Sequence, residues 1–207
     1  YGSATTILEN EANITKDTKE QLLENIVDES QWLIRMVENL LTVTRINEQT
    51  MRVAKTTELV EDIVGNAVSN VKRRFPLRQI IVELPEDLIF IDVDGILIVQ
   101  VLMNLLENAL RYSEDDTEVK LIVNDEKTSV RFMVMDRGNG ISSEILNSLF
   151  KVDNLDEVET TDINRGLGIG LTVCAAIIEA HGGKLDVENR ANGGAIVSFV
   201  LPKEGSE

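Results

Sequence analysis

Glycine and proline are distributed unevenly along this chain, and that limits its architecture more than any other feature. From Lys16 to Asn47 neither residue occurs, whereas Gly138–Gly140, Gly166–Gly170, Gly182–Gly183 and Gly193–Gly194 punctuate the C-terminal part. Both residues interrupt helices, so the early stretch can run as one long helix while the rest must break into short elements. Within it, Leu23, Ile26, Ser30, Leu33, Val37, Leu40 and Thr44 recur three and four residues apart, a heptad seam. Leu22, Val27, Trp32, Ile34, Met36, Leu41 and Val43 widen the apolar surface beyond what one partner helix covers. That pattern predicts a helix of a bundle; the plainer alternative is a buried helix of a single globular domain. Ser3–Glu11 has the pattern of another helix end and Asn13–Asp17 of a polar turn, which makes a helical hairpin over residues 1–50.

Residues 51–207 read as mixed structure. Helices are expected over Glu58–Val71, Gly95–Arg111, Ser143–Leu149 and Leu171–Ala180. Strands are expected over Gln79–Leu84, Leu88–Asp92, Glu118–Val123, Ser129–Met135, Lys184–Glu188 and Ala195–Leu201. Asp153–Arg165 is polar, acid-rich and without strong periodicity. Because the elements do not alternate as regular βαβ units, the fold class is α+β.

Composition removes several functions. Of 207 residues, 43% are hydrophobic and 27% charged, the balance of a folded domain rather than a disordered chain. The net charge of −16 leaves no electrostatic footprint for nucleic acid or an anionic membrane. Cys174 is the one cysteine and His181 the one histidine, which excludes an internal disulfide and any metal site built on paired thiols or imidazoles. A lone cysteine fits a reducing compartment. No apolar run approaches the roughly 20 residues of a membrane span, and no signal peptide is visible. The start at Tyr1 reads as a piece of something longer.

The candidate chemistry lies beside the glycines. Gly166-Leu-Gly168-Ile-Gly170 precedes the expected helix at Leu171, where free amides and the helix dipole favour phosphate. It matches neither a P-loop nor G-x-G-x-x-G, and read alone such a run is more often a structural turn. Asp136 ends a strand and enters Arg137-Gly138-Asn139-Gly140. Its carboxylate suits an exocyclic amine such as adenine N6, or simply caps the turn. Asn104, Asn108 and Arg111–Tyr112 share one helix face. Buried amides there cost stability unless satisfied. They fit either a nucleotide site with magnesium at Asn108, or interhelical hydrogen bonds.

Taken together, these segments resemble the core of bacterial sensor histidine kinases. Asn104-Leu-Leu-Glu-Asn108-Ala-Leu-Arg111-Tyr112-Ser113 resembles the family's N box, Asp136-Arg-Gly138-Asn-Gly140-Ile141 its G1 box, and Leu149-Phe150 its F box. Gly166-Leu-Gly168-Ile-Gly170-Leu171 resembles G2, followed by a helix ending Ala180-His181-Gly182-Gly183, and Gly193–Pro202 resembles the closing strand. Wording around the N box and the G2 helix is similar to the potassium-responsive subgroup. The resemblance implies a dimerisation hairpin (1–50) and a two-layer α/β sandwich of the Bergerat type that binds ATP (51–207). It implies Mg²⁺ at Asn108, supported by Asn104, with Arg111 and Tyr112 on phosphate and ribose. Asp136 would accept from adenine N6, with water shared by Gly140 and Ser198. Ile141 and Leu171 would pack near the base, Gly138 would belong to the adenine turn, and Gly166, Gly168 and Gly170 would cradle phosphates. Asp153–Arg165 would be a lid; Val152 departs from the family's arginine, for which Arg165 can compensate.

The resemblance further implies a homodimer, a response regulator as partner, and a cytoplasmic domain whose parent reaches the membrane through another region. The family's acceptor-histidine box is absent, so the chain is expected to bind Mg-ATP without phosphorylating itself. His181 is expected to cap its helix as a basic residue complementing the dipole. Glu107 has no assigned role. An ATPase of the gyrase, Hsp90 or MutL kind is a rival, although those carry a catalytic glutamate where Asn104 stands. A degenerate or non-enzymatic nucleotide-binding adapter that docks a response regulator is another.

Overall fold

The computed structural model describes residues 5–7, 15–23, 25–27, 30, 37, 53–142 and 167–203. The chain divides into two units, Tyr1–Thr42 and Val43–Glu207. In the first, residues 5–7, 16–23 and 25–27 are helical. The Thr15 hydroxyl accepts from Thr18 N–H at 3.2 Å and Thr15 O from Lys19 N–H at 2.9 Å, so threonine caps the helix that starts at Lys16. Of the expected seam, Leu23 and Val37 are exposed at 47% and 55%, and Ile26 is half-buried.

The second unit runs β1 (Thr56–Leu59), α1 (Val60–Arg74), β2 (Ile80–Glu83), β3 (Phe90–Val93) and α2 (Gly95–Tyr112). It continues with β4 (Val119–Asp125), β5 (Ser129–Met135), α3 (Leu167–Ala180), β6 (Lys184–Asn189) and β7 (Ala195–Pro202). β1 and β3 form a two-stranded antiparallel sheet, and the main sheet has the order β2-β4-β5-β7-β6. Only β2 and β4 run parallel; the other pairs of the main sheet are antiparallel, which makes the unit an α+β fold as expected.

Strand alternation decides which sheet face is covered. Leu121, Val123, Val130, Phe132, Phe199 and Leu201 are almost fully buried against the helices, while Ile122, Arg131, Met133, Ser198 and Val200 between them stay partly accessible. Phe132 and Phe199 face each other in register, with ring centroids 4.7 Å apart and planes 11° from parallel. Burying each ring contributes about 2–3 kcal/mol, with about 1 more for the stacked pair. α2 supplies Ile98, Val101, Leu102, Leu105 and Leu106 to the same core.

The ends of α2 are firmly held. At its start, Asp94 Oδ1 accepts from Leu97 N–H at 3.2 Å. At its end Arg78, nearly buried, donates to Leu110 O at 2.7 Å, Ser113 Oγ at 2.7 Å and Glu114 O at 2.9 Å. A fixed cation therefore satisfies carbonyls that the helix leaves without partners and complements its dipole. Glu107 faces α1, where it pairs with Arg74 Nη1 at 2.5 Å.

Two expectations need correction. β1 replaces the start of the helix expected at Glu58, because β-branched Thr56 and Thr57 pair with Val93 and Asp92 before the chain turns into α1. α3 begins at Leu167 rather than Leu171, so Gly168 and Gly170 lie in its first turn. The helix expected at Ser143–Leu149 lies outside the described residues, as do Leu149-Phe150 and Asp153–Arg165. Among the described residues no helix is long and apolar enough to cross a membrane.

His181 does cap α3, but not as a cation. Its ring is 1% exposed; Nδ1 lies 2.7 Å from Ile177 O, and Nε2 accepts from Asp94 N–H at 3.0 Å. Nε2 must be unprotonated to accept, which fixes the neutral tautomer that donates from Nδ1. Burial, together with nearby Lys55, holds the ring below its ordinary value of 6.5, against the Ile177 carbonyl and Asp94, which favour protonation. A depressed folded value means the unfolded chain takes up the proton first as pH falls. The contribution of His181 to stability is therefore complete above pH about 6.5 and is lost below it. In denaturant titrations, the stability advantage of the wild type over His181→Gln should shrink between about pH 8 and pH 5.5; a constant difference would contradict the neutral cap.

Candidate functional site

Leu105, Asn108, Ala109 and Tyr112 follow helical spacing and form the stripe of α2 that lines a cleft against the sheet. Val134 and Asp136 at the end of β5, Ala195 and Val197 at the start of β7, the Gly140–Ile141 turn and Leu171 of α3 complete the lining. The walls are thus mostly aliphatic, with a carboxylate, an amide and a phenol as the polar side chains. This suits a flat apolar ring with an amine to be recognised at its edge.

Asp136 is held from two sides. Its Oδ1 accepts from Gly138 N–H at 2.7 Å, within its own turn, and from Ala195 N–H at 3.2 Å, at the start of β7. Its backbone is tied as well: Asp136 N–H donates to Ala195 O at 3.1 Å. No described donor reaches Oδ2, so one carboxylate oxygen is fixed by the fold while the other is open to an incoming donor. Gly138 is required by close approach, because a Cβ there would stand 2.1 Å from Tyr112 O. The end of α2 and the Asp136 turn are therefore in backbone contact.

The two asparagines of the N-box-like segment divide the two readings between them. Asn108 Nδ2 is buried without a hydrogen-bond partner at the cleft wall. An unsatisfied buried amide is costly, which marks a position awaiting a ligand. Asn104 instead lies against α3: its Oδ1 is 3.5 Å from where a Cβ at Gly170 would stand. Burial pushes the thiol of Cys174 on α3, whose Sγ donates to Val101 O, up to about 12, so it packs as a small apolar group. Tyr112 lines the cleft with its hydroxyl raised by burial, partly offset by the Arg111 charge. Arg111 is exposed at the end of α2.

The remaining expected residues are placed less uniformly. Gly140, Ile141 and Leu171 line the cleft. Gly168 and Gly170 belong to the first turn of α3, and Arg165 and Gly166 lie outside the described residues. Ser198 is a correction. It pairs with Met133 and Asp186, one residue beyond cleft-lining Val197, and strand alternation turns it to the opposite face. The Ala195 amide, not the Ser198 hydroxyl, is the β7 group at the carboxylate. Asn189 and Arg190 join the site without any expectation from the sequence. Asn189 Oδ1 accepts from Ile141 N–H at 2.8 Å, and Arg190 Nη1 donates to Asp136 O at 2.6 Å. Polar residues at the end of an edge strand carry no sequence signal that separates them from a solvated surface.

A family model described as histidine kinase-, DNA gyrase B-, and HSP90-like ATPase matches residues 93–205, from the end of β3 through β7. The sensor protein KdpD of Clostridium acetobutylicum is 41% identical over 203 residues, 98% of this chain and 23% of that protein. The Escherichia coli KdpD is 33% identical over 170 residues, 82% of this chain and 19% of its own length. The chain therefore spans less than a quarter of either relative. Among solved structures, a catalytic domain of the histidine kinase ThkA superposes with a TM-score of 0.62 at 28% identity, over 74% of this chain and 99% of that one. The Acinetobacter baumannii histidine kinase AdeS, at 22% identity and a TM-score of 0.70 over 99% of this chain and 93% of its own, shares the fold. The cleft between α2 and the sheet lies within the matched segment, and the chain belongs to the histidine kinase-, DNA gyrase B-, and HSP90-like ATPase family.

Proposed function

We propose that this chain is the kinase core of a two-component sensor kinase of the KdpD type, with the second unit binding Mg-ATP. The observation that carries this reading is the half-occupied carboxylate of cleft-lining Asp136: Oδ1 is held by the Gly138 and Ala195 amides, and no described donor bonds Oδ2. Adenine N6 is a donor, so a carboxylate accepts from it where a guanine O6 would be repelled. The aliphatic walls take the ring faces. Tyr112 and Arg111 sit at the end of α2, where ribose and phosphate would follow, with the amides of the α3 N-terminus, Gly168 and Gly170 included, beyond.

Magnesium fits this donor set. Magnesium keeps several waters, takes one or two protein oxygens and otherwise uses phosphate oxygens. Asn108, which lines the cleft, is the residue that would hold it, through its side-chain oxygen; its buried and unpartnered Nδ2 is a donor and suits a phosphate oxygen instead. Among the described residues no cluster of carboxylates, cysteines and histidine offers a separate metal cage. Bound there, the ion would neutralise charge on the phosphates. Asp136→Asn puts an amide where the carboxylate accepts; calorimetric titration should show ATP affinity falling by at least about tenfold. Asn108→Asp should change the magnesium dependence of binding more than the affinity for the base. Wild-type affinity in Asp136→Asn would contradict the adenine assignment.

In the reaction proposed for the parent protein, the γ-phosphoryl group passes from ATP to a histidine nitrogen and then to an aspartate of a response regulator. The acceptor is not His181, the one histidine of this sequence, because both ring nitrogens are engaged in a buried site. Incubation with γ-labelled ATP should leave no acid-labile label on this chain; label on His181 would overturn that statement. The support for a regulator partner is that ThkA, which shares this fold, is seen in complex with the response regulator TrrA, at 24% identity and a TM-score of 0.72 over 97% of this chain and 56% of that one.

The first unit is proposed as the dimerisation segment of a homodimer. Its support is the heptad seam, on which Leu23 and Val37 are exposed in the single chain. Sedimentation should show a dimer that Val37→Glu weakens; a monomer at high concentration would contradict it. The KdpD relatives are sensor proteins more than four times as long. The unit is accordingly assigned to the cytoplasmic side of a membrane-attached parent.

A further inference from the structure

The turn that carries Asp136 is fastened at both ends by two consecutive residues that none of the family-like boxes contains. Asn189, the last residue of β6, spans Ile141 with its whole amide: Oδ1 accepts from Ile141 N–H and Nδ2 donates to Ile141 O, both at 2.8 Å. It thereby replaces one rung of a β-ladder for a segment that is not in a strand. Arg190 reaches the other end, donating from Nη1 to Asp136 O at 2.6 Å, while its own N–H donates to Gly194 O at 2.9 Å. Within the turn, the Asp136 Oδ1–Gly138 bond supports the start and leaves Gly140 and Ile141 to Asn189. Gly140 adopts φ +75°, and a Cβ there would meet Asn189 Oδ1 at 2.8 Å, so the amide is seated directly against that glycine. Ile141, buried at 8% exposure, is also a wall of the cleft.

We infer that Asn189 is a positioning residue for base recognition: by pinning Ile141, with Arg190 pinning Asp136, it sets how sharply the cleft distinguishes adenine from guanine. This rests on the nucleotide reading above. The physical reason is directional. A carboxylate oxygen and a backbone turn discriminate between an amine and a carbonyl only while they stay within a few tenths of an ångström of the base edge, because hydrogen bonds weaken steeply off-axis. The Asp136–Gly138 bond holds the start of the turn, but the Gly140–Ile141 end has no such bond of its own among the described residues, and Asn189 supplies one from the end of β6. Asn189 is not among the residues that line the cleft, and it lies on the exposed side of the turn. Its effect is therefore on geometry and not on contact.

The test uses the whole chain and compares ATP and GTP affinities by calorimetry in wild type, Asn189→Ala, Asn189→Asp and Arg190→Met, with folding checked by circular dichroism. Asn189→Asp keeps the acceptor for Ile141 N–H but sets a carboxylate against Ile141 O, so it should be no better than Asn189→Ala. Losing the two bonds should weaken ATP binding about tenfold and reduce the ATP-over-GTP ratio by a similar factor. GTP affinity itself should change little. A merely structural role would lower thermal stability and leave the ratio untouched. A folded Asn189→Ala protein that binds ATP as the wild type does, with the same ratio, overturns the inference and leaves the nucleotide reading standing. Wild type that binds neither nucleotide overturns both.

Discussion

The arrangement depends on one carboxylate oxygen. Asp136 Oδ1 gathers the Gly138 amide from its own turn and the Ala195 amide from the start of β7. Those two bonds fasten the glycine turn to the exit of β5 and the entry of β7, which strand pairing already brings side by side. They also settle the rotamer, so the second oxygen is presented in a fixed direction. Charge-assisted bonds from backbone amides are stronger than neutral ones, and the acceptor here is most of the way to full burial. An amide side chain at this position would lose the anionic acceptor and turn a donor toward adenine's own amine.

The rest of the unit keeps the opposite wall in place. α2 is capped at its start by Asp94 and at its end by Arg78, while Arg74 ties Glu107 to α1. Glu107 and Asn108 are neighbours in sequence but point about 100° apart around the helix, one to a packing partner and one to the cleft. This is why only the second is turned toward a ligand. His181 links the two helices that border the cleft, since its ring joins the C-terminal turn of α3 to the amide of the α2 cap residue. Its neutrality follows from that geometry, and Lys55 Nζ, 3.2 Å from His181 O, occupies the place of the charge at the helix end.

Elements with strong periodicity are legible in the sequence. β5 spans Ser129–Met135 as expected, and α2 differs from the expected helix by one residue at its C-terminal end. What the sequence hides depends on tertiary pairing. β1 is four residues whose strand character comes from β3, thirty-odd positions away. The start of α3 runs through glycines, which local propensity disfavours, because a helix apolar on all sides is buried in the core. Ser198 stands one place along the strand from the cleft, which is enough to reverse its face. The roles of Asn189 and Arg190 exist only where β6 passes the Asp136 turn, so no local pattern betrays them. The motif residues around Asn108, Asp136 and Gly140 are legible because their spacing falls on a helix face and a strand-to-turn junction, two local geometries.

The most direct test of this account is a crystal structure of the chain with a non-hydrolysable ATP analogue and magnesium. The account predicts adenine N6 within hydrogen-bond distance of Asp136 Oδ2, with Oδ1 still on the Gly138 and Ala195 amides and the metal against Asn108. A base bound elsewhere, or a carboxylate swung off its two amides to receive the ligand, would contradict it.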